Sequence, residues 1–341
     1  MHLPSCFFPE FGSNRRGKRS GKGLRSFTPG SFLNQAIGED IHEVQPVTSQ
    51  RIADIILTCF QGTPLFLRRT VFAGLSRLFY HIVPRQRLIA IYNLRRAFPE
   101  KSDAEILRIA RGVYRNMGIM AAEFFDIPRL TKENIGELVE AEGLEHCLRA
   151  LEKGRGVLFF TAHFSNWELA AAAAALMIKP AVVVYRTLDN PLLEQVVLRI
   201  RSAFGNILIP KEHAMRTMIR SLKRNEIVGI LIDQNVAWYE GVFVDFFGRP
   251  ACTTNGLALL ALHTKAPVLP GYIVRRNNGR YRLVIGPEVE VTRTGDRAKD
   301  VLANTQRFTQ IIEETVRQYP DQWFWVHQRW KTQKCQAHRK E

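Results

Sequence analysis

The sequence predicts an α/β fold: a mostly parallel, twisted sheet flanked by helices, with a helical region ahead of it. Three observations predict it. From Gly154 onward, short apolar runs alternate with helix-like segments, as strands alternating with covering helices do. Three of those runs end in polar groups, at His163–Glu168, at Arg186 and at Asp233–Gln234, and ligand sites in open parallel sheets lie at the carboxyl ends of strands. Before Gly154 the spacing is helical throughout, so residues 46–153 read as all-helical.

Residues 1–45 mix Gly, Ser, Pro and basic residues without periodicity and read as a flexible basic arm. Residues 49–83 are helical, divided at Pro64. Leu67, Val71, Leu75, Leu78 and Ile82 share one stripe. That stripe suits either a core helix or a basic amphipathic helix lying among lipid headgroups. Two helices follow between Arg85 and Phe125, split at residues 99–102, where Ser102 and Glu105 form a capping box. Residues 131–153 continue as helix and loop.

The core spans 154–331. Val157–Phe160 is a strand that runs into a polar cluster and then an Ala-rich helix. Ala181–Tyr185 is a buried strand ending at Arg186. A helix then starts at Asp189-Asn190-Pro191, with Pro191 in its first position. Residues 206–209 form a short strand, 212–224 a basic helix and 227–232 a buried strand. Residues 241–247 are extended and 253–264 helical. Strands at 268–274 and 281–285 precede a long helix over 297–318. An aromatic, cationic segment closes the core, and residues 332–341 are a basic tail.

The chain has 341 residues, with 48 Lys+Arg against 32 Asp+Glu, a formal charge of +16. Such a surface attracts anions: nucleic acid, anionic lipid, phosphorylated sugars or an acidic protein. The five cysteines are scattered, without a C-x-x-C pair, so neither a zinc site nor a disulfide framework is implied and reduced, cytoplasmic thiols fit. No apolar run reaches the roughly 18 residues a membrane span needs; the nearest, Leu65–Val83, is broken by Arg68, Arg69 and Arg77. The N-terminus lacks the order of a signal peptide.

His163 and Glu168 carry the chemistry. Residues five apart on one helix point about 140° away from each other, so the two can meet only if His163 lies on the turn feeding the helix. Asn166 or Ser165 then caps it, and Glu168 falls in the first turn. The positive end of a helix favours a neutral imidazole, which accepts a proton, and a carboxylate on its other nitrogen fixes the tautomer. The expectation is a general base, His163, oriented by Glu168 and activating a hydroxyl. Glycine-rich dinucleotide and phosphate loops, H-E-x-x-H and G-x-S-x-G are all absent. With no nucleophile motif, the hydroxyl belongs to a substrate.

HFSNWE at 163–168 resembles the H-x4-D/E block of glycerolipid-type acyltransferases. More closely, the chain resembles the late acyltransferases of lipid A biosynthesis. NLRRAFPE at 93–100, YRTLDNPLLE at 185–194, DQN at 233–235, GVFVDFFGRPACTTNGLALLAL at 241–262, TKAPVLPGY at 264–272 and QWFWVHQRWK at 322–331 match in order. Ser165 stands where such proteins often carry Gly, and an Arg-interrupted stretch replaces their N-terminal membrane-spanning helix. The resemblance implies transfer of a fatty acyl chain from acyl carrier protein to a hydroxyl of a phosphorylated glucosamine disaccharide lipid, with no metal or bound cofactor. It implies His163 and Glu168 as catalytic residues, and substrate-binding roles for Arg186, Asn166, Asn190, Asp233, Gln234, Gly248 and Thr254. Arg186 and the cations of 212–224 would hold phosphate or the acidic carrier protein. Asp233 is expected to orient Arg186 or cap a turn. The expected location is the cytoplasmic face of the inner membrane, with monotopic or peripheral attachment to an anionic surface.

Two rivals accompany this reading. One is an acyltransferase for another glycolipid or an aminoacyl lipid, with acyl-CoA as donor. The other is a basic nucleic-acid-binding protein. The second is disfavoured because the cations follow no recognised reading module and His163–Glu168 would then have no purpose, so nucleic acid is not an expected partner.

Overall fold

A computed structural model describes residues 47–211 and 214–333. The basic arm, Glu212 and most of the basic tail lie outside the described residues. Four helices open the chain: α1 (Val47–Gly62), α2 (Leu65–Ile82), α3 (Pro84–Ala97) and α4 (Asp103–Phe124). Pro64 separates the first two. The capping box of α4 is formed: Ser102 N–H donates to Glu105 Oε2 at 2.9 Å, and the Glu105 N–H returns to Ser102 Oγ. α2 lies against α4 so closely that a Cβ at Gly118 would come within 2.6 Å of the Phe72 carbonyl oxygen.

α2 is turned inside out. Two of its three arginines point inward: Arg68 is buried, donates to the carbonyls of Thr63 and Ala122, and pairs with Asp126. Arg69 pairs with the buried Glu123 at 2.7 Å. The apolar stripe faces outward instead, with Leu67, Val71, Leu75, Leu78 and Ile82 between 45% and 64% exposed. Of the two expectations for this stripe, the core helix is excluded. No helix among the described residues is long and apolar enough to cross a membrane.

The region ahead of Gly154 is not all-helical. After α5 (Ile135–Leu138), residues Val139–Glu142 form β1, which pairs in parallel with β9 (Tyr281–Ile285). Its sequence, VEAE, is too short and polar to read as a strand; it lies at a sheet edge, where one flank needs no partner. α6 (Leu144–Glu152) then leads into β2 (Val157–Thr161), α7 (Trp167–Met177), β3 (Ala181–Tyr185), α8 (Pro191–Ser202), β4 (Ile207–Pro210), α9 (Ala214–Lys223) and β5 (Ile227–Leu231).

β6 (Gly241–Asp245) and β7 (Pro250–Thr254) make a separate antiparallel hairpin. Its tip, Phe247–Gly248, has both residues at positive φ, +55° and +68°, the arrangement that matches strand twist in a two-residue turn. The helix expected from residue 253 starts at Gly256, as α10 (Gly256–Thr264), because the β-branched Thr253 and Thr254 complete the hairpin. β8 (Val268–Arg275), β9 and α11 (Arg297–Gln318) complete the core.

The main sheet has the order β1-β9-β8-β2-β5-β3-β4. Every pairing in it is parallel except β8–β9. β2 is central, between β5 and β8. The chain leaves β2 for β3, goes out to β4 and returns to β5. The turns after β2 and β5 therefore sit side by side at one crevice, where such sheets bind ligands.

Residues 320–332 then fold back over that crevice. Ser165 N–H donates to the Gln322 carbonyl, Phe324 N–H to the His163 carbonyl, and Asn235 N–H to His327 Nε2. Asn93 of α3 holds the same segment through the carbonyls of Trp325 and His327. Trp323 and Trp325 are buried and held by packing.

Candidate active site

β2 delivers His163 to the crevice and β5 delivers Asp233. The Asp233 carboxylate grips His163 twice: Oδ2 accepts the backbone N–H at 3.0 Å and Oδ1 lies 2.8 Å from Nδ1. Trp323 Nε1–H donates to Oδ2 at 2.8 Å. With Nδ1–H given to Asp233, Nε2 keeps the lone pair. The His163 side chain is 24% exposed and that of Asp233 only 2%, so the imidazole reaches the surface while the carboxylate stays dry. The Gln234 amide nitrogen lies 3.3 Å from Nε2. Trp167 and Phe324 flank the ring at 5.2 Å and 6.1 Å.

Burial alone would raise the Asp233 carboxyl. The charge and hydrogen bonds of His163 and the Trp323 N–H outweigh that and hold it below the usual carboxylate range.

The expectation that Glu168 orients the ring is corrected. Glu168 does lie in the first turn of α7, with His163 on the feeding turn. There its carboxylate is turned to α8 and held by Arg201, through Nε at 2.9 Å and Nη2 at 2.6 Å, and by Trp167 Nε1 at 3.0 Å. Asp233 has the place Glu168 was expected to fill, so it neither orients Arg186 nor merely caps a turn.

The other expected site residues divide. Gln234 lies beside the His163 ring. Asn166 caps α7, accepting from Leu169 N–H, and is buried with its amide on Glu123 at 3.0 Å. The same Glu123 carboxylate accepts from Tyr281 and Arg69, so one buried acid ties α2, α4, β9 and the turn of residues 163–166 together. Ser165 has φ +51°, a region that glycine adopts without strain. Asn190 caps α8 through Leu192 and Leu193 N–H. Gly248 forms the hairpin tip and Thr254 Oγ1 accepts from Gly256 N–H; neither touches the pair.

Arg186 is exposed at the end of β3, two strands from β2 and so roughly 10 Å away. The basic helix α9 runs away from the crevice. Arg216 is near its start, while Lys223 and Arg224 lie at the opposite edge, where Arg224 pairs with Glu226.

His327 was not expected in the site. Its Nε2 accepts the Asn235 N–H at 2.8 Å, and burial pushes it from 6.5 down to about 4. The unfolded chain takes up this proton near pH 6.5, whereas the folded protein refuses it until near pH 4. Stability from this group is whole above pH 6.5 and lost as pH falls towards 4, by up to about 3 kcal/mol. Urea unfolding at pH 7 and 4.5 should show that loss in the wild type and a smaller one in His327→Gln.

A mostly parallel sheet whose crevice holds a part-exposed histidine bonded to a buried aspartate is the arrangement of an α/β protein equipped for acid–base chemistry. The chain belongs to the family of bacterial lipid A biosynthesis acyltransferases, whose model matches residues 48–332. Among its relatives is the lipid A biosynthesis palmitoleoyltransferase of Escherichia coli (strain K12), 29% identical over 276 residues, covering 80% of this chain and 85% of the relative. The lauroyltransferase of the same organism is 29% identical over 263 residues, 76% and 83% of the two chains. A phosphatidylinositol mannoside acyltransferase of Mycolicibacterium smegmatis (strain ATCC 700084 / mc(2)155) is 25% identical over 212 residues, 61% and 67% of the two chains.

Proposed function

We propose that the protein transfers a fatty acyl chain from acyl carrier protein to a hydroxyl of a lipid A precursor at the cytoplasmic face of the inner membrane. The observation that carries this reading is the His163–Asp233 pair at the sheet crevice, in a chain matching the lipid A acyltransferase family over most of its length.

The acceptor hydroxyl donates its proton to His163 Nε2 as its oxygen attacks the thioester carbonyl. The new C–O bond gives a tetrahedral intermediate. Its collapse breaks the C–S bond, and the proton passes from His163 to the leaving sulfur. Asp233 stabilises the imidazolium between these steps, as a buried acid does for a histidine base. The Gln234 amide, displaced from Nε2 by the hydroxyl, is a neutral donor for the oxyanion. Glu168 acts at one remove: it fixes Arg201 and Trp167, and Trp167 walls the ring.

Two surfaces support the partners. Arg186 and Arg216 are exposed cations near the catalytic edge, suited to phosphate or to an acidic carrier protein. The outward stripe of α2 supports monotopic attachment. α2 and α3 contain no acidic residue, and Arg77 and Arg85 stand exposed beside the apolar side chains, which matches an anionic headgroup layer.

The test is incubation of the purified protein with acyl carrier protein thioesters or coenzyme A thioesters, against a phosphorylated disaccharide acceptor or a mannosylated phosphoinositide. Mass spectrometry should find the disaccharide one acyl chain heavier with the carrier-protein donor. The mycobacterial relative motivates the second arm; product only from coenzyme A and the phosphoinositide would replace the present reading.

A further inference from the structure

We propose that Arg329 is the fixed counter-charge of the catalytic pair, a positioning residue that keeps Asp233 ionised while His163 is neutral. This rests on the reading of His163 as the base and adds what that reading leaves unexplained.

Asp233 is 4% exposed. Its donors are His163 N–H, His163 Nδ1 and Trp323 Nε1. None carries a charge when the imidazole is ready to accept a proton. A carboxylate buried with no counter-charge is costly. Arg329 presents the opposite anomaly. It is 1% exposed and has no carboxylate ion pair among the described residues. Its guanidinium donates to the Cys252 carbonyl at 2.9 Å and to Thr253 Oγ1, and its Nε has no partner.

One aromatic layer links the two lone charges. The guanidinium stands 5.1 Å from the Phe246 ring centre, and Phe246 is 5.4 Å from Trp323, the indole bound to Asp233. β7 supplies a second link, because Thr253 bridges to Asn235, two residues after Asp233. Opposite charges in a dry interior act on each other across such a layer far more strongly than in water. The layer also keeps Arg329 off the carboxylate oxygens. A direct ion pair would compete with His163 for them; an offset cation stabilises the charge and leaves both oxygens to the ring and the indole.

The other titratable groups around the pair do not supply this charge. His327, on the same segment as Arg329, is neutral at physiological pH with its Nε2 on Asn235. The Cys252 thiol is pushed up by burial and stays protonated. Glu168 and Arg201, on α7 and α8, neutralise each other. Lys331 and Glu240 are exposed, and Glu240 pairs with Lys211. Arg329 itself is lowered by burial, against the pull of Asp233, only to about 10, so it remains charged.

The experiment compares Arg329→Gln, which keeps donors without charge, with Arg329→Lys, which keeps charge, and with Thr253→Asp, which gives Arg329 a private carboxylate. Two readouts are taken: the pH at which kcat falls on the acid side, and the NMR titration of the His163 ring. In Arg329→Gln and Thr253→Asp both should move to higher pH by roughly one unit, the scale of one charge acting through the interior. In Arg329→Lys they should stay near wild type. Unmoved titrations in the first two variants, with kcat lowered alike in all three, would reduce Arg329 to packing and overturn the proposal. If Arg329→Gln does not fold, Thr253→Asp decides alone, since it leaves Arg329 in place. Undiminished turnover in His163→Ala would instead overturn the base assignment, and the ring titration would still report the field of Arg329.

Discussion

Asp233→Asn should lower turnover about 10³- to 10⁴-fold while leaving the acceptor KM within a few-fold. With its NH₂ facing Nδ1, the amide still accepts from the His163 backbone and Trp323 N–H groups but offers no charge to the imidazolium and imposes the wrong tautomer; the same change in a serine protease triad costs about 10⁴-fold. His163→Ala should lose at least as much, since a positioned base is worth roughly 10²- to 10⁴-fold. Glu168→Gln should cost far less, because a glutamine oxygen still accepts from Arg201 and Trp167. Turnover measured on the three folded variants separates the roles. Equal losses in Asp233→Asn and Glu168→Gln would return the orienting role to Glu168.

Replacing Leu75 and Leu78 together by Glu should release the protein from anionic vesicles. Both side chains are more than half exposed, so the substitution removes nothing from the core and should leave the unfolding midpoint unchanged. Burying a leucine is worth roughly 1.5–3 kcal/mol, so losing two weakens binding by about 100-fold or more. Two acids facing an anionic surface add repulsion. Vesicle co-sedimentation checks the outcome. Transfer to a short-chain, water-soluble acceptor should survive, since neither residue is near His163 in the catalytic turn.

The strands were legible because their apolar runs are bounded by turn signals. Ala181–Tyr185 and Tyr281–Ile285 coincide with β3 and β9, and the Ser102 box marks the start of α4. β7 was hidden because its threonines also suit the start of the helix that follows. The site was half legible. Spacing alone places His163 off the helix and Glu168 in its first turn, but cannot say which carboxylate meets the ring. Asp233 lies 70 residues from His163, and Trp323 a further 90. Their meeting is a property of strand order, which brings β5 beside β2. The α2 stripe was legible as a pattern and ambiguous in direction. The direction is decided by two acids, Glu123 in the last turn of α4 and Asp126 just beyond it, which draw Arg69 and Arg68 inward.

The fold-back of residues 320–332 has a consequence for biosynthesis. Every strand has been translated before Trp323 and His327 leave the ribosome, so a nascent chain can complete its sheet while the turns after β2 and β5 still lack their brace. Acid–base competence should therefore arise in the last moments of synthesis, and a chain held on the ribosome with only the residues after 318 still inside the exit tunnel should be folded but inert.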